Sequence, residues 1–253
     1  MVSASYLFER FCWLTFTGHL FYVALTSPAY YGHLTYWTLS VHATYFAIDK
    51  SSPNARTAIY LLHGPSFSGA MGVFIGYAFI SLGGIYRFGS WIQWENAIGQ
   101  AAGTVTHERT LMECAVNKLY EHLWPVFALL IDARLSRDVL HDAYTHARPV
   151  LTMLWGVFGY VAYALIWEQF SKRTKGELGT PLEVYVQPTE FKTSFILGKL
   201  GISANGLPED FIFTNTQKLL LPSFALLMYR IYVSPMLNST SAKRTSSVKQ
   251  KRR

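Results

Sequence analysis

The apolar residues of this chain gather into runs of roughly 17 to 25, the length a helix needs to cross about 30 Å of hydrocarbon. They are not spread as the narrow amphipathic stripes of a soluble helix. This clustering constrains the fold more than any other feature. Inside lipid a backbone must satisfy its own hydrogen bonds, and only helices and closed barrels do so. Composition agrees: 51% of the 253 residues are hydrophobic and 15% are charged, a low charge content for a soluble domain. The expected fold is an all-α polytopic transmembrane helix bundle of about six spans. It forms one membrane domain over residues 1–236, followed by a basic, disordered cytosolic tail over 237–253.

The first span is read at residues 11–26, ending at Ser27-Pro28, where proline favours a turn. A short uncharged hairpin leads to the second span, which stops at Asp49-Lys50, and Ser51-Ser-Pro-Asn54 forms another turn. The third span covers about 65–86, with Gly72 and Gly76 at the spacing that lets helices approach closely. Residues 88–110 form a polar connector whose Trp91 and Trp94 suit a bilayer surface. The fourth span lies within 111–131 and carries Asn117, Glu121, His122 and Pro125. The fifth covers 149–167. After a long connection over 168–217, the sixth covers 219–233, interrupted by Pro222 and Arg230.

Six spans put both termini on one side of the membrane. The tail, with Lys243, Arg244, Lys249, Lys251, Arg252 and Arg253, marks that side as cytosolic. It also accounts for much of the formal net charge of +7, which suits an anionic membrane face; no nucleic-acid partner is expected. Lys50, Arg56, Arg134, Arg137 and Arg148 then fall in cytosolic loops. Lys172, Arg173 and Lys175 fall on the opposite side, in a long loop of the kind that translocates regardless of charge. The first apolar run lacks a small-residue cleavage site, so no cleavable signal is read. Lysines three and five residues from the C-terminus resemble a dilysine retrieval signal and point to the endoplasmic reticulum.

The second span is unusual for its polarity. Residues 31–48 carry His33, Thr35, Thr38, Ser40, His42 and Thr44. Hydroxyls and imidazoles at that density face a bundle interior or a wet cavity, either as interhelical hydrogen-bonding groups or as a reactive site. Spans two and four run in the same direction. Thr35 would lie roughly 9 Å below a helix start near Ala29, and His122 roughly 7 to 16 Å below its own, so the two can share a depth. A threonine hydroxyl is a weak nucleophile that a neutral imidazole can activate by taking its proton. Thr35 and His122 therefore form a hydrolase pair in outline. Pro125 deprives the Glu121 carbonyl of its regular helical partner and kinks the backbone beside the histidine.

The remaining candidates are less apt. His42 shares a face with Thr35 but sits about 10.5 Å further along the axis, so it lines the cavity without bonding the threonine directly. Asp49 extends this stripe to the membrane edge. Asp132 is roughly 15 Å along a helix from His122, too far to orient it. His141 and His146 are five apart in a polar stretch, which is not a metal-ligand spacing, and Cys12 and Cys114 are too few for a cysteine-based site. No metal or cofactor is expected.

Several segments resemble one family. Residues 31–46, with His33-Leu-Thr-Tyr-Trp-Thr-Leu39, are similar to the second span of the androgen-induced-gene family of membrane proteins, in which a threonine leads an apolar helix. Leu61-Leu-His-Gly-Pro65 resembles the family's proline-bearing start of span three. The stretch from His122 through Pro125 to Asp132 resembles its fourth span, and residues 151–185 its fifth span and the Thr-Gly and Val-Tyr-Pro region after it. Thr38 and His42 stand where the family commonly has asparagine and glutamine. The resemblance extends in order over about residues 6–235.

The resemblance implies a threonine hydrolase of fatty-acid esters of hydroxy fatty acids, with Thr35 as nucleophile and His122 as base. Thr38, His42 and Pro125 would then contact substrate, and membrane lipids and a lipid ester would be the partners. The competing reading is a non-enzymatic lipid-binding or scaffold protein of the endomembrane system, in which the same residues only join helices. A transporter is third, because no inverted repeat is seen.

Overall fold

The computed structural model describes residues 3–26, 34–52, 54–101, 107–145 and Arg230. The expected fifth span, the long connection, His146, the basic tail and all of the sixth span except Arg230 lie outside the described residues. Every regular element within them is helical: α1 (Ala4–Thr26), α2 (Leu34–Ala47), α3 (Ala55–Phe88), α4 (Trp91–Ala101), α5 (Leu111–Lys118), a π-helical turn (Leu119–Leu123), α6 (Trp124–Leu135) and α7 (Arg137–Thr145). The described part of the fold is all-α, as expected.

Helix α2 packs against both α1 and α3, and α6 closes the bundle by touching the same two helices. The core between them holds Phe16 of α1, Tyr36, Leu39 and Phe46 of α2, Phe67 of α3 and Leu129 of α6, all 2% exposed or less. Phe16 is its hub, with ring centroids 5.8 Å from Phe46 and 6.2 Å from Tyr120. Helix α1 turns Leu7, Phe11, Leu14, Phe21 and Leu25 outward and buries Glu9, Cys12 and Phe16. Spacings of three, four and seven make the outward set one continuous stripe. The exposed face is thus apolar while an acidic side chain points inward, the reverse of a soluble helix.

Helix α3 begins ten residues before the start expected at Pro65, which lies inside it. The expected boundary matches the resemblance of Leu61-Leu-His-Gly-Pro65 to a proline-bearing start of span three. Packing overrides it: Ile59 and His63, upstream of the proline, are fully buried, with His63 Nδ1 hydrogen-bonded to the Tyr144 hydroxyl of α7. The segment Ala55–Ala78 is long and apolar enough to cross a membrane. Gly89 ends α3 in the left-handed region at φ 81°, its N–H bonding the Ile85 carbonyl, a conformation that glycine adopts without a side-chain clash. The connector expected on the bilayer surface contains α4. It packs on α3 so closely that a Cβ at Gly84 would fall 2.2 Å from the Trp94 ring.

A buried ionic knot ties one end of the bundle together. Lys50 Nζ, just beyond α2, lies 2.5 Å from Asp132 Oδ1 of α6 and 3.4 Å from Glu9 Oε1 of α1. Tyr45 donates to Asp132 over 2.6 Å, and the Ser136 hydroxyl is within 3.0 Å of both carboxylates. Three helix ends are thereby held by charges that water does not screen. Beside the knot, Arg10 donates to the carbonyls of Phe46 and Ile48, supplying partners that the end of α2 lacks.

Candidate functional site

At the other end of α2, Thr35, Thr38 and His42 share one face. They line a narrow cleft with Leu39, Ala70 and Val73, closed by Glu121 and His122 of the π-helical turn and Pro125 of α6. All five of the sequence-derived site residues therefore meet in one place. Thr38 is buried with its methyl group against Gly69, where a Cβ would approach to 2.8 Å. A glycine is what allows α2 and α3 to meet at this depth.

The π-helical turn has a local cause. Proline has no N–H and its ring collides with the carbonyl four residues back, so the regular hydrogen-bond ladder is interrupted at Pro125. Here the helix widens: the Trp124 N–H bonds the Leu119 carbonyl, five residues back. Such single wide turns recur at functional sites. This one carries both Glu121 and His122 inward.

Thr35 Oγ1 lies 3.4 Å from His122 Nε2, and the other ring nitrogen, Nδ1, is 3.1 Å from the Lys118 carbonyl oxygen. A carbonyl only accepts, so in a neutral ring Nδ1 carries the proton and Nε2 offers its lone pair to the threonine. The hydroxyl then donates to Nε2, the direction a general base requires. The Tyr77 ring stacks on the imidazole, with centroids 3.8 Å apart. Its hydroxyl donates to Glu95 Oε1 over 2.5 Å and accepts from Trp91 Nε1 over 2.8 Å.

Around this relay lies a balanced set of charges. Glu121 accepts from the Tyr36 hydroxyl at 2.5 Å and from Lys118 Nζ at 3.0 Å, and His19 Nε2 is 3.3 Å away. Glu95 Oε2 lies 3.8 Å from both Lys118 and Arg109. Two carboxylates thus face two cations, and each buried charge has an opposite neighbour.

Other expected positions are distant from this cleft. Asp132 belongs to the ionic knot, as its distance from His122 along the helix requires. Asp49 is exposed and accepts from the Ser51 N–H and hydroxyl in the α2–α3 turn. Among the described residues no group of three or more His, Cys, Asp or Glu side chains is placed to hold a metal. Sequence reasoning does not single out Tyr36, Tyr77, Glu95 or Lys118 as site residues. Only Glu121 and Lys118 carry a usable signal, as ionisable residues in an apolar run beside the histidine.

No protein-family model matches the chain, and neither a curated protein nor a solved structure matches it at a significant level.

Proposed function

We propose that this chain is a multipass membrane hydrolase of lipid esters, of the kind its resemblance to the androgen-induced-gene family implies, with Thr35 as nucleophile and His122 as general base. The observation that carries the reading is the relay from Thr35 Oγ1 to His122 Nε2 and from Nδ1 to the Lys118 carbonyl. It supplies a nucleophile, a base and a group fixing the base's tautomer, the three parts of an activated hydroxyl. The inverted polarity of α1 and the apolar length of α3 support a lipid surrounding. The six-span topology, the endoplasmic reticulum and cytosolic termini belong to the same proposal.

The chemistry balances without a cofactor. Thr35 Oγ attacks the acyl carbonyl while its proton passes to Nε2, and the tetrahedral adduct collapses as His122 returns that proton to the leaving alcohol. Water then attacks the acyl-threonine with His122 again taking a proton; the carbonyl–Oγ bond breaks, the fatty acid departs and the hydroxyl is restored. The cleft is tight and its walls touch, so an acyl chain requires them to separate, and the 3.4 Å contact is of a length that shortens when substrate arrives.

The closed cleft also suits the second reading, in which the Thr35–His122 contact only joins α2 to the fourth span. A fluorophosphonate probe separates the two. Covalent labelling of the full-length protein in lipid nanodiscs, lost in Thr35→Ala and in His122→Ala, is the expected result. Absence of labelling together with absence of ester turnover would leave the scaffold reading in possession.

A further inference from the structure

Seven residues beyond Thr35, His42 lines the same cleft, about 10 Å further along α2. Its side chain is buried, and its Nε2 lies 2.9 Å from the Ser66 carbonyl oxygen. Since the carbonyl can only accept, Nε2 carries the proton and Nδ1 of the neutral ring presents a lone pair. Nothing among the described residues donates to that nitrogen. The ring cannot turn to find a donor without giving up the Ser66 bond, and Phe16 packs 5.8 Å from it. Buried acceptors normally have a donor, and one left open in a cleft marks a place for something that arrives.

The chemistry of the arrival is narrow. A carboxylate would set lone pairs against a lone pair, and an ammonium would bring an uncompensated charge into an apolar place. A neutral hydroxyl donates and adds no charge. Between His42 and Thr35 the cleft is lined by Leu39, Ala70 and Val73 together with Thr38, whose methyl group is turned against Gly69, and this mainly apolar wall suits a hydrocarbon stretch joining the two polar ends. We propose that His42 is a specificity-determining residue that binds a hydroxyl of the lipid substrate about 10 Å from the scissile ester, so that the substrates are hydroxylated lipid esters. The location of the ester rests on the hydrolase reading, whereas the hydroxyl subsite rests on the unpaired nitrogen.

The test uses full-length protein in nanodiscs and two matched pairs of lipids. One pair is a long-chain ester with and without a hydroxyl about 10 Å along the chain from the ester. The other is the corresponding non-cleavable ether pair. Wild type is expected to bind the hydroxylated ether about tenfold more tightly than its partner, as one buried hydrogen bond provides. His42→Phe, which fills the space without an acceptor, should lose that preference, and His42→Gln, whose amide can donate to Ser66 and still accept, should keep part of it. Equal binding of the two ethers by wild type, as when a fixed water already occupies Nδ1, overturns the subsite, and so does a preference that survives in His42→Phe. Preference among ethers without cleavage of either ester supports the subsite and removes the hydrolase reading. Cleavage without preference does the opposite.

Discussion

The ring of Tyr77 lies 3.8 Å from the imidazole of His122, with planes 26° apart. One face of the proposed base is thus covered by a side chain from a different helix, and that side chain is itself fixed by Trp91 and Glu95 of α4. The position of α4 is thereby transmitted to the histidine. A stacked ring restricts the tilt of the imidazole, while the Lys118 carbonyl fixes which nitrogen faces Thr35.

Tyr77 is expected to act as a positioning residue, and the stack and the hydroxyl can be separated by substitution. Tyr77→Phe keeps the ring and should retain most activity. Tyr77→Leu removes the flat face and lets the imidazole tilt, which should lower kcat roughly tenfold to a hundredfold, the range a misplacement of about 1 Å causes. KM should change little in both, because Tyr77 does not line the cleft. Equal kcat for the two variants in a steady-state assay would show that the stack does not position the base.

The ionic knot makes a prediction about order. It holds two carboxylates, Glu9 and Asp132, against one ammonium, Lys50. Lys50→Met leaves two like charges buried together and should destabilise the protein by about 3–5 kcal/mol. Asp132→Asn leaves the Lys50–Glu9 pair intact and keeps an oxygen for Tyr45, so it should cost less. Adding Glu9→Gln to Lys50→Met should recover part of the loss. Thermal unfolding of the purified variants checks the sequence of effects, and a melting temperature for Lys50→Met equal to that of wild type would contradict it.

Part of this is legible in the sequence from helix geometry. Under the six-span expectation, helix direction and rise give Thr35 and His122 compatible depths, which permits their pairing without selecting it; the family resemblance selects it, and the structure brings the two within 3.4 Å. The same rise separates Asp132 from His122, and the structure puts Asp132 in the knot with Lys50. Pro65 misleads because its resemblance to a proline-bearing start of span three says nothing about the burial of Ile59 and His63 upstream. Pro125 signals a disturbance, yet whether a helix kinks or widens depends on what packs around it. Tyr77 is illegible: it is one of sixteen tyrosines, and only the approach of α3 to the π-helical turn gives it a role.

The orientation of the chain is open to a simple check. Asn238-Ser-Thr240 is a glycosylation sequon that a cytosolic tail never presents to the transferase. Glycan on Asn238 in the full-length protein would reverse the proposed orientation.

The strongest discrimination comes from treating Thr35 and His122 as one unit. Removing the hydroxyl in Thr35→Ala eliminates the nucleophile, and removing the imidazole in His122→Ala leaves a hydroxyl with nothing to take its proton. Each single variant should therefore lose about as much activity as the double variant, because catalytic residues acting together are far from additive. Thr35→Ser restores a hydroxyl without the methyl group, so it should keep measurable turnover with a lower kcat. If the pair were only a link between helices, the pattern would move to stability: each variant would lower the melting temperature modestly while ester hydrolysis in nanodiscs stayed at its wild-type level. Measuring both quantities on wild type and the four variants assigns the contact to chemistry or to packing.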